Sequence, residues 1–205
     1  MTRETQLATL TTAPPDCQGW SKLRICRVRM FGVRAWLTAS VNNAEWRRRE
    51  RVGLDAMTRV DVLDGLLGLP LGLPVPLYAL TTHERQLVSQ LPPGVVDQPG
   101  DLVIRRAEPV VECFFALVFA PTWSAGLADA LKFAPFCARL TVLESRPADE
   151  TAACLEASYY GVGLAIQARN DHTMLVPPEP LVRRRVTAAG WWFTEETYRQ
   201  IKATT

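Results

Sequence analysis

The sequence predicts an α/β protein in which a mixed sheet is flanked by helices and preceded by an extension of strands and a helix. After about residue 80, short apolar runs alternate with helical segments, which is typical of right-handed crossovers and a partly parallel sheet. Of the 205 residues, 48% are hydrophobic and 21% are charged, as in soluble folded domains. This length suffices for one sizeable core, or for a core with a smaller appendage.

The first part of the chain predicts fewer regular elements. Residues 1–20 are polar and contain proline, so we expect a loosely ordered lead-in. Arginines alternate with apolar residues between Lys22 and Ala39, which predicts one or two strands with a basic outer face. From Asn43 to Leu67, apolar residues recur every three or four positions, and glycines follow. This period predicts one helix that ends near Gly65.

The segment LPLGLPVP, from Leu69 to Pro76, contains too many prolines for a helix or a central strand. We therefore expect an extended connector there and place a domain boundary at its end. The expected organisation is an N-terminal extension over residues 21–76 and an α/β core over residues 77–205.

The elements of the core follow from their apolar periods and their capping residues. Thr81 or Thr82 suits the N-cap of the first helix, and Glu84 lies in its first turn. The segment RRAEP joins the first two strands, which predicts a hairpin. We expect helices at 81–91, 123–134, 148–161 and 190–203, and strands at 102–104, 110–119, 138–145 and 162–168.

Glu112 is the unusual residue of the second core strand, because it lies among apolar neighbours in VVECFF. A buried ionised carboxylate is costly unless a cation, a metal or hydrogen-bond donors meet it. The predicted hairpin would bring Asp101 near Glu112, and two such carboxylates could share a divalent cation such as Mg²⁺. The alternative is an ion pair between Glu112 and one of three arginines: Arg105, Arg106 or Arg139.

The order of these elements, together with three short motifs, resembles the restriction-endonuclease-like PD-(D/E)xK nuclease superfamily over about residues 81–168. The matching residues are Glu84, the Pro99-Gly100-Asp101 segment and Glu112-Cys113-Phe114. The resemblance implies a restriction-endonuclease-like fold and a phosphodiesterase in which Asp101 and Glu112 hold Mg²⁺ and Glu84 assists.

One departure from the family's pattern concerns the lysine that orients the attacking water, because Phe114 occupies its position. Phenylalanine offers neither a donor nor a charge. Some members carry this lysine on the next helix, and Lys132 is the candidate here for positioning the hydroxide. The alternatives are that Lys132 only covers apolar surface, or that the core is catalytically impaired and kept for binding.

Arginine clusters indicate nucleic acid, with DNA as the expected polymer, although 23 basic and 21 acidic residues give a net charge of only +2. One cluster is the arginine-rich 24–34 stretch. The alternative is that these arginines are solvated or pair with Glu45 and Glu50. The residues predicted to contact nucleic acid in the other two clusters are Arg47, Arg48, Arg49, Arg183, Arg184 and Arg185.

A second class of function is a non-catalytic scaffold or assembly subunit, with the connector and the aromatic tail Trp191-Trp192-Phe193 as contact surfaces. The same aromatic residues could instead stack on bases or fix the last helix to the core. Protein partners and homo-oligomerisation are both compatible with the sequence. We see neither a secretory signal nor an apolar run of roughly 18 residues, so we expect a cytoplasmic protein without membrane association.

Overall fold

The computed structural model describes residues 23–167, 172–182 and 185–204. These residues form two compact units. The first unit contains residues 23–40 and the described part of 113–182, and the second contains residues 41–112 and 185–204. Both units therefore combine segments that are distant in the chain.

The described residues form helices and strands in the following chain order: β1 (Arg24–Met30), β2 (Val33–Val41), α1 (Asn43–Val52), α2 (Val60–Leu67), β3 (Pro74–Pro76), a 3₁₀ turn (Leu77–Ala79), α3 (Thr82–Ser89), β4 (Val96–Asp97), β5 (Leu102–Arg105), β6 (Val111–Ala120), α4 (Trp123–Leu131), β7 (Ala138–Leu143), α5 (Glu150–Tyr160), β8 (Val162–Gln167), β9 (His172–Val176) and α6 (Ala188–Lys202).

The larger sheet has six strands in the order β1-β2-β6-β7-β8-β9. Strands β6, β7 and β8 are parallel, whereas β1 pairs with β2 and β8 pairs with β9 in the antiparallel sense. The predicted α/β class with a mixed sheet and helices is confirmed. Strands β1 and β2, which we expected in a separate extension, instead join this sheet.

The connection between β6 and β7 shows how a helix packs on this sheet. Helix α4 begins after Thr122, whose side chain accepts a hydrogen bond from the backbone N–H of Ala125. A Cβ atom at Gly126 would lie 2.3 Å from Cγ2 of Thr141 and 3.1 Å from Cβ of Ala120. Only glycine allows α4 to approach the strands so closely. The predicted strand–helix–strand–helix–strand succession from β6 to β8 is confirmed.

The smaller sheet has the strand order β3-β5-β4, and β5 is antiparallel to both of its neighbours. Strand β6 belongs to the other sheet, so the predicted hairpin between the strands at 102–104 and 110–119 is wrong. After β5 the backbone N–H groups of Arg106 and Ala107 donate to the carbonyl of Val95. Strands β3 and β4 and the carbonyl of Val95 thus hold this segment in place of the expected neighbour, β6.

The helix predicted from Asn43 to Leu67 is two helices, because α1 ends at Val52, with Gly53 as its C-cap, and α2 begins only at Val60. Gly53 has φ 66°, the left-handed conformation in which glycine commonly ends helices. The side chain of Asn42 caps the start of α1 by accepting from the N–H groups of Ala44 and Glu45. The sequence hid this break, because Leu54 and Met57 of the loop are buried apolar residues that continue the helical spacing.

The last helix, α6, confirms the prediction of a C-terminal helix. Trp191 and Phe193 are 1% and 0% exposed, and Trp191 belongs to the buried cluster of the second unit. These aromatic residues therefore hold the helix in place, as one interpretation of the sequence expected. No helix among the described residues is long and apolar enough to cross a membrane.

Candidate functional site

Glu84, predicted to assist a metal site, has a structural role at the start of α3. Its carboxylate accepts hydrogen bonds from the backbone N–H and the hydroxyl of Thr81, both at 2.7 Å, and the Thr81 hydroxyl accepts from the N–H of Glu84. This reciprocal pair is a capping box. The hydrogen bonds from Thr81 lower the pKa of Glu84 below its ordinary value. The carboxylate is thus already engaged by its own helix.

Of the two predicted metal ligands, Glu112 lies in the larger sheet, and Asp101 precedes a strand of the smaller sheet. Asp101 is exposed in the turn before β5, and its backbone carbonyl accepts a hydrogen bond from Leu77 at 2.8 Å. Glu112 is half-buried as the second residue of β6. Among the described residues, no three His, Cys, Asp or Glu side chains are placed to hold a metal ion. No such group supports the Mg²⁺ site that the resemblance implied, and the pairing of Asp101 with Glu112 stays a prediction.

The three arginines proposed as alternative partners of Glu112 are bound elsewhere. Arg105 donates to the carbonyls of Leu66 and Leu69, and Arg139 donates to that of Tyr160. Arg106 forms an ion pair of 2.6 Å with Asp97. None of the ion pairs found in the described ranges includes Glu112.

Phe114 and Lys132 both concern the catalytic lysine of the nuclease motif. Phe114 occupies its usual position, and Lys132 is the candidate to replace it. Phe114 is partly buried against the hydrophobic cluster of the first unit, so its side chain serves the core. Lys132 directly follows α4, and its ammonium group forms an ion pair of 2.8 Å with Asp129 while 44% of the side chain stays exposed. The ion pair engages Lys132 with the last turn of its own helix, and its role in positioning a hydroxide stays a prediction.

Arg49, predicted to bind phosphate, is instead fully buried, with 0% exposure. Its guanidinium donates to both carboxylate oxygens of Glu195 at 2.7 Å, to Glu45 at 2.8 Å and to the carbonyl of Glu108 at 2.8 Å. It also lies 5.5 Å from the ring centroid of Tyr198. Burial lowers the pKa of Arg49, but the hydrogen bonds and charges of Glu195 and Glu45 outweigh burial and raise it.

The neighbouring arginines of α1 differ in exposure and in hydrogen bonding. Arg48 is bound to both carboxylate oxygens of Glu45, at 2.6 and 2.8 Å, and to the carbonyl of Gly94 at 2.6 Å. Arg47 is exposed on the same helix. Of the C-terminal cluster, Arg185 is exposed, while Arg183 and Arg184 lie outside the described residues. The cluster on α1 therefore presents fewer free guanidinium groups than its sequence suggested.

The β1–β2 hairpin presents a basic face that the sequence indicated only in outline. Arg29 lies directly opposite Arg34, and Arg27 lies directly opposite Trp36. Paired residues of an antiparallel ladder share one face, so these four side chains lie on the same side of the hairpin. All three arginines are exposed, and Trp36 is partly buried against the hydrophobic cluster of the first unit. We call these three arginines and Trp36 the hairpin face.

Two features position the hairpin face. The turn at Phe31 and Gly32 has φ angles of 54° and 77°, as in the two-residue turns that match the twist of a hairpin. The ring of Phe31 stacks on Phe136 with centroids 5.5 Å apart. The turn is thereby packed against its own unit, and the arginines are held on a sheet surface.

The charge of this hairpin is uncompensated within its own sequence. Residues 23–40 contain four arginines and no acidic residue. Arg27 and Arg34 take part in none of the ion pairs found in the described part of the chain. An exposed cluster of guanidinium groups is suited to bind phosphate oxygens, often with two hydrogen bonds each.

Comparisons of this chain with known proteins found no match. No protein-family model matches the chain. No curated protein and no solved structure matches it either.

Proposed function

We propose that this chain is a non-catalytic nucleic-acid-binding protein that contacts phosphates through the hairpin face. The observation that carries this proposal is the exposure of Arg27 and Arg34 on one face of a hairpin whose residues 23–40 include no acidic residue. Neutralised phosphates release counterions, so the affinity should fall as the salt concentration rises.

The non-catalytic part of the proposal is supported by the roles of the predicted catalytic residues. Glu84 caps its helix, and Lys132 pairs with Asp129. A restriction-endonuclease-like ancestry stays a proposal, supported by the parallel β6–α4–β7 connection within a mixed sheet. A cytoplasmic location is proposed with it, because nucleic acid must be accessible to the hairpin face.

The test is fluorescence anisotropy with labelled mixed-sequence DNA and RNA, single-stranded and duplex, over about 50–200 mM salt. The variant Arg27→Gln/Arg34→Gln should bind more weakly. Its plot of log affinity against log salt should be less steep by about 0.9 per lost contact for duplex DNA and about 0.7 for single strands. The matched control is Arg47→Gln/Arg51→Gln, which removes two exposed arginines of α1. Equal losses in the two variants, or no binding at low salt, would overturn the proposal.

The catalytic alternative is tested by plasmid nicking in Mg²⁺ or Mn²⁺. We expect no nicking by the purified chain. Nicking that disappears in both Asp101→Ala and Lys132→Ala would instead establish the nuclease that the resemblance implied.

A second candidate function is assembly with a protein partner through the connector and two residues next to it, Tyr78 and Leu102. Leu73 and Tyr78 are 61% and 84% exposed, and Leu71 and Leu102 are 45% and 36% exposed. Such a group of exposed apolar residues often marks an interaction site. Light scattering after size-exclusion chromatography should then show an oligomer that Leu73→Ser/Tyr78→Ser dissociates, whereas a monomeric wild type would exclude self-assembly.

A further inference from the structure

A cleft of about 470 Å³ opens in the second unit between the loop after α1 and helix α3. Its floor includes Leu54 and Met57, which are 3% and 7% exposed and belong to the buried cluster of that unit. Because the floor is part of a packed core, the cleft is formed before any ligand arrives. Its volume lies within the range of about 300–1,000 Å³ that is typical of small-ligand sites.

One wall of the cleft is a polar face of α3. His83 and Gln86 lie three residues apart on α3, and Gln90 directly follows the helix four residues later, so that all three line the cleft from one side. Within the described ranges, the side-chain amides of Gln86 and Gln90 have no hydrogen-bonding partner. This wall therefore offers both donors and acceptors but no carboxylate or guanidinium group.

The charged residues of the opposite wall are already paired. Arg59 forms an ion pair with Asp61, and Asp55 forms one of 2.7 Å with Lys202. A charged ligand would have to compete with these pairs, whereas an uncharged ligand would not. The apolar floor, the polar α3 wall and the opposite wall of paired charges together suit a flat, uncharged ring with hydrogen-bonding groups on its edge.

We infer that this cleft binds a nucleobase. An apolar floor can cover one face of the base, and a glutamine amide can form two hydrogen bonds with the edge of adenine. The base could belong to a free nucleoside or to an unpaired position in a nucleic acid. Binding of an unpaired base in a nucleic acid rests on the proposed function, whereas binding of a free nucleoside does not.

The test uses the full chain and adenosine, which has no phosphate for the hairpin face to bind. Adenosine should bind in isothermal titration calorimetry, and Gln86→Ala/Gln90→Ala should weaken the binding at least about tenfold through lost hydrogen bonds. Both glutamines are exposed, so the variant should fold like the wild type. The matched control, Gln98→Ala, changes an exposed glutamine outside the cleft and should bind like the wild type.

A dissociation constant weaker than about 1 mM for adenosine, or equal losses in the variant and the control, would overturn the inference. A single-stranded oligonucleotide with one adenine, compared with the same strand carrying an abasic site, identifies the source. Preference for adenine that is lost in Gln86→Ala/Gln90→Ala supports a base within a nucleic acid. Adenosine binding without any oligonucleotide binding supports a free nucleoside and overturns the proposed function alone.

Discussion

Arginines are concentrated both in α1 and in the β1–β2 hairpin, but the two groups differ in burial and in their partners. Arg49 is fully buried and held by Glu195 and Glu45, whereas Arg27 and Arg34 are exposed on the hairpin face. Helix α1 carries Glu45 on the same side as Arg49, while the hairpin contains no acidic residue. A basic run therefore indicates a ligand surface only when no partner within the fold neutralises it.

Removing the buried guanidinium of Arg49 tests the α1 side of this comparison and should have the largest effect on the free energy of unfolding. Arg49→Met leaves the carboxylates of Glu195 and Glu45 buried without their cation. Loss of one partner from a buried ion pair costs about 3–5 kcal/mol. Urea denaturation should show a decrease of that size in the free energy of unfolding, against nearly none for the exposed Arg47→Met. A decrease below about 1 kcal/mol would mean that the pairing contributes little.

Changing an arginine of the hairpin face should have a smaller effect, and of the opposite sign. Arg34→Thr removes a like charge opposite Arg29 and places a β-branched residue in β2. The free energy of unfolding should rise by about 0.5 kcal/mol, while the affinity for nucleic acid falls. A loss of stability in the same denaturation experiment would show that Arg34 has a structural role like that of Arg49.

The capping box at α3 gives the smallest expected effect and a test by pH. Because its hydrogen bonds with Thr81 lower the pKa of Glu84, the ionised carboxylate stabilises the folded state above the ordinary glutamate pKa. This contribution is lost as the pH falls through the lowered pKa. The melting temperatures of the wild type and Glu84→Ala should therefore differ at neutral pH and converge in acid. A constant difference would mean that the charge of Glu84 does not matter.

Much of the architecture could be predicted because local signals determined it. The capping of α3 by Thr81 and the alternation of β6, α4, β7, α5 and β8 follow from residues within each element. The break after α1 was missed, since Leu54 and Met57 continue the apolar period through a loop. The pairing of β5 with β3 and β4 was missed because a short apolar run does not specify its neighbour.

The candidate site was predictable only in part. The alternation Arg27-Val28-Arg29-Met30 indicated a basic strand face, and the structure has it. Nothing near Arg49 indicated that its main partner lies 146 residues away, at Glu195. The cleft beside α3 combines a loop and a helix separated by the connector, so its lining residues form no sequence motif.

The sequence by itself determined the α/β class, most helices and strands, and the uncompensated charge of residues 23–40, because these depend on period, capping and composition. Only the tertiary structure decided which strands pair and which charged side chains are buried. Those outcomes depend on contacts between distant segments. For this reason Arg49 became part of the core, while Arg27, Arg29 and Arg34 stayed exposed on the hairpin face.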